Sequence, residues 1–270
     1  MQFLQIGSNN EDVRALQKAL AKELNLKISA DGVFGPGTSR ALSSWQQSQG
    51  INEVDARGNA VYGKKSDDVA GSYIEENFIT EAGYAQAAEH LGVEVAALKA
   101  FALTESKGRG FFSNGFPVIL FERHKFYQAV RLKFGVARAN ALATQMPDIC
   151  NPNAGGYVGN EGEIPRLERA SSIDWLCAHS SASWGAYQVM GFNYSRAGYQ
   201  SVQAFIEAVK RSEKEQLIGF VNFVGYDANL VQALRAKNWR VVAALYNGSG
   251  NVSDYAPKFA ANYDLAVRQR

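Results

Sequence analysis

The sequence predicts a mostly helical protein of the all-α to α+β class, with a small helical unit followed by a larger one that contains a short loop or hairpin. Three observations support this class. Apolar residues recur at helical spacing through most of the 270 residues. Glycine-rich turns interrupt that spacing at residues 31–38 and 155–165. A hydrophobic content of 46% and a charged content of 20% are ordinary for a globular chain.

The first predicted helix lies within residues 8–25. Polar residues Ser8–Asn10 precede two acidic residues, which is typical of the amino terminus of a helix. Apolar side chains then mark one helical face: Val13, Leu16, Leu20 and Leu24.

The turn Asp31–Thr38 contains three glycines and a proline, so its backbone must be irregular. Thr38 is placed to cap a second helix that carries Trp45, and Gly50 is placed to end it. A helix-like stretch follows at Val69–Ile74.

We expect residues 1–75 to form the first domain, residues 76–84 a polar linker, and residues 85–270 the second domain. In the second domain the apolar spacing predicts the following helices: Ala85–Leu91, Val93–Glu105, Phe121–Phe134, Ala137–Thr144, Ile173–Cys177, Ala182–Met190, Val202–Lys210, Glu213–Val224, Asn229–Lys237, Val241–Tyr246 and Tyr255–Gln269.

Glu105 ends one of these helices and is the most informative residue of the chain. It shares a helical face with Leu98 and Ala102, so the face that enters the core ends in a carboxyl group. Burial and the negative end of the helix dipole both raise the pKa of such a group. A carboxyl that stays protonated near neutral pH can donate a proton to a leaving sugar oxygen. The alternative is a glutamate that ends the helix and turns to solvent.

Composition excludes several classes of function. A net charge of +2 gives no strong case for nucleic-acid binding. No apolar run reaches about 18 residues, so we expect no membrane insertion. The first residues do not resemble a secretory signal, so we expect synthesis in the cytoplasm and another route of exit. Histidine and cysteine spacing matches no metal site, and we expect neither a metal nor a cofactor; Cys150 and Cys177 are expected to be free thiols.

The amino-terminal motifs resemble the type-1 family of peptidoglycan-binding domains. The DGxFGPxT signature of that family corresponds to Asp31–Thr38, and its second-helix FQxxxG corresponds to Trp45–Gly50. The second turn of the family is matched only loosely, by Asp55–Gly63. The resemblance implies a small three-helix wall-binding domain in which Asp31, Phe34 and Trp45 contact the wall.

The rest of the chain resembles the N-acetylmuramidase domain of modular phage endolysins. The motifs ESxGxGF, FERH, GGY with RLxxA, SWGxxQxMGxN and YNG correspond to Glu105–Phe111, Phe121–His124, Gly155–Tyr157 with Arg166–Ala170, Ser183–Asn193 and Tyr246–Gly248. The resemblance implies a lysozyme-like fold that cleaves the β-1,4 bond between N-acetylmuramic acid and N-acetylglucosamine.

The same resemblance implies the roles of individual residues. Glu105 becomes the catalytic acid. Glu122 is the first candidate for a second carboxylate, with Glu161, Glu163 and Glu168 as alternatives, although some relatives use one carboxylate alone. The residues expected to contact or orient the sugar are His124, Tyr157, Ser183, Trp184, Tyr187, Gln188, Asn193, Tyr246 and Asn247. For Trp184 and Tyr246, a purely structural role in the hydrophobic core is an alternative to sugar contact.

Two other functions stay open at this point. The same fold could act as a lytic transglycosylase that releases anhydro-muramyl products, or the chain could be a non-catalytic wall-binding virion protein. On the endolysin interpretation, we expect a monomer whose partner is peptidoglycan. It would be made in the host cytoplasm and would act on the wall in the periplasm after a holin releases it.

Overall fold

The structure is a computed structural model that describes residues 1–106 and 109–268. Its elements in chain order are α1 (Glu11–Glu23), α2 (Pro36–Ser48), α3 (Lys64–Asn77), α4 (Glu81–Leu91), α5 (Val95–Glu105), β1 (Ile119–Phe121), α6 (Arg123–Phe134), α7 (Val136–Gln145), α8 (Glu163–Ser171), α9 (Trp175–Ser180), β2 (Ala182–Trp184), β3 (Val189–Met190), α10 (Val202–Arg211), α11 (Glu213–Gly225), α12 (Ala228–Arg235), α13 (Trp239–Asn247) and α14 (Val252–Arg268). The predicted fold class is confirmed.

The chain divides into two compact units. One consists of Met1–Phe101 with Leu234–Arg270, and the other consists of Ala102–Ala233. This division follows spatial contacts, and it leaves the predicted domain boundaries at residues 75 and 85 untested. Helix α3 ends at Asn77 and α4 begins at Glu81, so only three residues separate them.

Helices α1, α2 and α3 form the predicted small helical domain. Their apolar faces meet in one core, to which Leu16, Leu42 and Ile74 contribute one from each helix. Asn10 caps α1, because its side chain accepts a hydrogen bond from the backbone N–H of Val13 at 3.0 Å.

The glycine-rich turn before α2 is held by a buried amide. Gln17 donates from Nε2 to Asp31 Oδ1 at 2.9 Å, and its Oε1 accepts from the backbone N–H of Gly32 at 2.9 Å. Gln17 Nε2 also lies 3.1 Å from Thr38 Oγ1. The prediction that Thr38 caps α2 is wrong, because Gly35 occupies the cap position and Pro36 begins the helix.

The amino-terminal domain is joined to α4 and α5 by reciprocal helix caps. The Glu81 carboxylate accepts from the backbone N–H of Glu11, and the Asp12 carboxylate accepts from the backbone N–H of Glu81. The buried Lys99 ammonium lies 2.6 Å from the Glu81 carboxylate. Burial raises the pKa values of Glu11 and Asp12, which face this cluster.

The carboxy-terminal helices complete the first unit. Tyr246 on α13 packs edge-on against Phe101, with ring centroids 4.9 Å apart. Arg235 donates to the backbone oxygens of Leu91 and Gly92, which close the end of α4. The last predicted helix begins earlier than expected, at Val252, and its predicted end, Gln269, lies outside the described residues.

A three-stranded antiparallel sheet organises the second unit. Strand β2 lies between β1 and β3, with Leu120 opposite Ser183 and Trp184 opposite Val189. The prediction of a helix over Ala182–Met190 is therefore wrong, since this segment is a hairpin. The glycine-rich stretch near residues 155–165, expected to hold a loop or a short hairpin, is a loop followed by a short 3₁₀ turn that leads into the unpredicted α8.

The apolar core of the second unit includes α10 and α11, whose buried residues include Phe205 and Phe220. Cys150 and Cys177 are both buried free thiols. Within the described residues no single helix is both long and apolar enough to span a membrane, although the bent pair α11–α12 meets that criterion by length and composition.

Replacing Gln17 with leucine should loosen the turn before α2. The change leaves the buried N–H of Gly32 without its acceptor, which costs about 1–3 kcal/mol. Hydrogen exchange of the peptides that cover residues 26–40 should become faster in this variant. The matched control is Gln47→Leu, which alters an exposed glutamine of α2. Equal protection of Gly32 in both variants would contradict the role given to Gln17.

Candidate functional site

Glu105 is the last residue of α5 and is half-buried. Leu98 and Ala102, which share its helical face, are both fully buried, as the apolar spacing predicts. The helix ends here with the N–H of Ser106 donating to the carbonyl oxygen of Ala102 at 2.8 Å. The side chain thus projects from the carboxyl end of an apolar helix.

Glu122 stands at the end of β1, where the chain leaves the sheet and enters α6. Its backbone N–H donates to the carbonyl oxygen of Ser181, at the edge of β2. Its Oε2 accepts a hydrogen bond from the Tyr157 hydroxyl at 2.9 Å and lies 3.1 Å from His124 Nδ1. Burial, and then the Glu122 carboxylate, raise the pKa of Tyr157, so the phenol stays protonated and can donate.

Glu163 ties the glycine-rich loop to the sheet. It is fully buried, and its Oε1 accepts from the backbone N–H groups of Val158 and Gly159 at 2.7 and 2.8 Å. Its Oε2 accepts from the N–H of Phe121 at 3.2 Å and from Arg166 Nη1 at 2.5 Å. The carboxylate is fully occupied and is thus closed to a role as the second catalytic group.

Arg166 extends this network. Its guanidinium also donates to the carbonyl oxygens of Phe121 and Asp148 and lies over the Phe121 ring. The pair Glu163–Arg166 therefore fixes both polar groups of Phe121, the residue that precedes Glu122. It also fixes the backbone immediately after Tyr157, which contacts Glu122. Sequence reasoning identified both residues but not this role.

The hairpin that contains Ser183 and Gln188 is held by the Gln188 amide. Gln188 has a φ of 51°, in the left-handed region that residues with a side chain rarely adopt. Its Oε1 accepts from Ser183 Oγ at 2.9 Å, and its Nε2 donates to the carbonyl oxygens of Gly185 and Val118. Ser183 and Gln188, both expected to contact sugar, therefore use these polar groups to stabilise the turn.

A second buried amide, Gln216 on α11, holds the other side of this turn. Its Oε1 accepts from the N–H of Ala186 at 2.8 Å, and its Nε2 donates to Gly110 and Val209 carbonyl oxygens. A Cβ at Gly185, where φ is +73°, would lie 2.7 Å from this side chain, so glycine is required there. One sequence feature points to Gln216: it is a polar residue on the helical face that carries Phe220 and Val224.

Trp184 and Tyr187 lie in the core instead of on an open groove. Trp184 is 1% exposed, donates from Nε1 to the carbonyl oxygen of His179, and stacks on the His179 ring. Tyr187 is also buried and stacks on Phe220 with ring centroids 4.4 Å apart. Burial lowers the pKa of His179 to about 4, so the imidazole is neutral at pH 7.

Other side chains of the second unit are open to solvent. Asn193 is half-buried beside the exposed Phe192, whose ring lies 5.8 Å from Lys125 Nζ. Lys125 follows His124 in the first turn of α6. Tyr157 is also exposed. These residues leave aromatic and polar groups accessible on the side of the sheet where α6 begins.

Tyr246 and Asn247 lie in the first compact unit, at the end of α13. Both are half-buried. The carbonyl oxygen of Asn247 accepts from Asn251 Nδ2 at 2.6 Å, which closes the turn after the helix. Their expected contact with sugar stays a prediction.

The three residues expected to bind the wall differ in exposure. Asp31 is exposed and lines a recess of about 510 Å³ with Thr38 and Arg40. Trp45 is buried in the core at 6% exposure and lines a smaller recess of about 180 Å³ together with Tyr73. Phe34 is fully buried in the core, so it supports the fold and offers no open surface. Hydrogen bonds from Val33 N–H and Gln17 lower the pKa of Asp31 and keep it ionised.

The arrangement favours acid–base chemistry by carboxyl groups. The described residues contain no group of three or more His, Cys, Asp or Glu that could hold a metal ion. Two of the carboxyl groups of the second unit are a half-buried glutamate at a helix end, Glu105, and Glu122, which accepts a hydrogen bond from a tyrosine and lies near a histidine.

Replacing Glu163 with glutamine should destabilise the second unit. The change leaves the Arg166 charge without its partner, and breaking one member of a buried pair costs about 3–5 kcal/mol. Urea unfolding monitored by circular dichroism measures the loss. The control is Glu168→Gln on the same helix, which alters an exposed carboxylate and should stay within about 0.5 kcal/mol. Similar stabilities for both variants would contradict the network described here.

Comparison with known proteins agrees with these observations. A family model described as N-acetylmuramidase matches residues 94–266, and one described as a putative peptidoglycan binding domain matches residues 9–59. No curated protein matches the chain. The crystal structure of the Burkholderia AP3 phage endolysin is 36% identical, covers 99% of this chain and 100% of its own, and superposes with a TM-score of 0.66.

The N-acetylmuramidase model spans more than half of the chain, including Glu105, Glu122 and the hairpin that holds Gln188. The match also separates two activities along the sequence, with wall binding first and glycan cleavage second. The chain therefore belongs to the N-acetylmuramidase family and, with its amino-terminal peptidoglycan-binding domain, has the architecture of a modular phage endolysin.

Proposed function

We propose that this endolysin cleaves the β-1,4 bond between N-acetylmuramic acid and N-acetylglucosamine with Glu105 as the proton donor. The observation that carries the proposal is the position of Glu105 at the end of an apolar helix, within the segment that the muramidase family matches. Glycan cleavage needs a group that protonates the leaving oxygen.

The surroundings of Glu105 suit a proton donor. The carboxyl end of a helix carries partial negative charge, which disfavours an ionised carboxylate beside it. Half-burial removes part of the water that would stabilise that charge. The proposal requires the protonated carboxyl of Glu105, because that is the form that donates a proton.

We assign Glu122 as the second carboxyl group. The Tyr157 hydroxyl donates a hydrogen bond to its Oε2, and His124 Nδ1 lies 3.1 Å from the same oxygen. Of the alternatives, Glu163 is fully paired in the core, while Glu161 and Glu168 are exposed. Glu122 would stabilise the positive charge that develops on the sugar ring or activate a water molecule.

The remaining predicted residues divide into three groups on this proposal. Ser183, Trp184, Tyr187 and Gln188 shape the hairpin from within, because their polar groups or rings are already engaged or buried. Tyr157, His124 and Asn193 are accessible enough to contact the glycan. Tyr246 and Asn247 are proposed as further sugar contacts.

The amino-terminal domain would hold the enzyme on the insoluble wall and raise its local concentration there. Asp31 and Trp45, which line two recesses, are proposed to contact the wall, and Phe34 is proposed to support them from the core. The protein would act as a monomer, made in the host cytoplasm and released to the periplasmic wall by a holin.

Replacing Glu105 with glutamine should abolish lysis while wall binding is retained. The amide keeps the size of the side chain but cannot donate the catalytic proton, and loss of a general acid lowers the rate by about 10²- to 10⁴-fold. Turbidity loss of purified walls measures activity, and co-sedimentation with walls measures binding. Glu207→Gln, on the exposed face of α10, is the matched control and should behave as the intact protein does.

Two outcomes would contradict the assignment. Residual activity within a few-fold of the intact protein would exclude Glu105 as the proton donor. Loss of folding, seen by circular dichroism, would identify Glu105 as a structural residue instead.

A further inference from the structure

The helical pair α6–α7 carries charge of one sign only. Residues 123–147 contain no aspartate or glutamate and five lysines and arginines: Arg123, Lys125, Arg131, Lys133 and Arg138. The last three lie at the tip, where α6 ends and α7 begins, and all three are exposed. The net charge of the whole chain is only +2, yet three cationic side chains lie together at the tip of α6 and α7.

The same tip exposes large apolar side chains. Leu132 is 88% exposed, and Phe134 and Val136 are each about half exposed. A single exposed leucine is ordinary, whereas three such side chains within five residues are not. They lie on the turn around Gly135, where the two helices meet.

The beginning of α9 adds two more exposed apolar residues. Lys133 Nζ lies 2.6 Å from Asp174 Oδ2, and Asp174 caps α9 immediately before Trp175 and Leu176. Trp175 and Leu176 are both more than 40% exposed. We call these five apolar side chains the tip patch: Leu132, Phe134, Val136, Trp175 and Leu176. Asp174, the acid beside them, is already paired with Lys133.

We propose that the tip patch docks the enzyme on an anionic lipid surface, without a spanning helix. Exposed apolar side chains among cations are the combination that binds the interface of a membrane with negative headgroups. A tryptophan at the edge of the patch suits the headgroup region, since its ring is apolar and its N–H is polar. None of these residues belongs to the proposed catalytic site.

Two other occupants fit the patch less well. A polyanionic polysaccharide would pair with the cations but would leave the apolar side chains in water. A second copy of this chain in a two-fold contact would cover the apolar side chains, yet it would also bring Arg131 and Arg138 of both copies together. An anionic lipid surface satisfies both features at once.

The location also fits the activity. Helix α6 has 12 residues, so its tip lies roughly 18 Å along the helix axis from Glu122, which precedes its first residue. Docking at the tip would leave the start of α6 free for the glycan. A wall-degrading enzyme would then be held at a membrane that faces its substrate.

Vesicle co-sedimentation of the full-length protein tests the proposal. Vesicles of phosphatidylcholine with phosphatidylglycerol should bind the protein, vesicles of phosphatidylcholine alone should not, and high salt should weaken binding. The double substitution Leu132→Ser with Phe134→Ser should weaken binding at least about tenfold, because it removes apolar contacts and keeps every charge. Its control is Val54→Ser with Leu265→Ser, which changes two exposed apolar residues outside the patch.

Both double variants should digest purified walls as the intact protein does, which shows that they fold. Failure of the intact protein to sediment with anionic vesicles would overturn the proposal. Equal binding by the patch variant and its control would also overturn it. If the intact protein self-associates in analytical ultracentrifugation and the patch variant does not, a second copy covers the patch and the lipid assignment is wrong.

Discussion

The buried Glu163 carboxylate fixes the place where the sheet ends and the proposed site begins. It accepts hydrogen bonds from three backbone N–H groups and from Arg166, and these donors come from β1, the glycine-rich loop and α8. A buried carboxylate without partners would destabilise the fold. The loop and β1 therefore stay in the positions from which their N–H groups reach Glu163. Tyr157 on that loop then meets Glu122 at the end of that strand. One buried charge thus connects core packing to the orientation of a candidate catalytic group.

Side-chain amides perform a similar function at the other end of β1, where Gln188 donates to the carbonyl oxygen of Val118. Gln188 and Gln216 replace the backbone hydrogen bonds that a tight turn between β2 and β3 cannot make for itself. The aromatic residues beside them stack in the core and exclude water from these bonds. Most of the motif residues between Ser183 and Asn193 therefore serve to build the hairpin. Exposed groups nearby, such as Tyr157 and Asn193, are better placed to contact a glycan.

The sequence predicted the helices well because their apolar spacing was regular, as in α1 and α5. It failed at residues 182–190, where a run of small and aromatic residues is compatible with either a buried helix or buried strands. Only the pairing with β1, more than 60 residues earlier in the chain, decides between them. The candidate site was predicted as a set of residues, but the structural roles of Glu163, Arg166 and Gln188 were not. Residue spacing alone does not show whether Glu163 faces substrate or pairs with Arg166, because tertiary contacts decide this.

The central claim is that this chain hydrolyses the glycan with Glu105, and product chemistry tests it most directly. Mass spectrometry of the soluble products from purified peptidoglycan should show N-acetylmuramic acid at the reducing end for the intact protein. The same products should be absent when residue 105 carries an amide. Anhydro-muramyl products would contradict hydrolysis and indicate a lytic transglycosylase. No products from the intact protein would contradict catalysis altogether and leave a wall-binding protein.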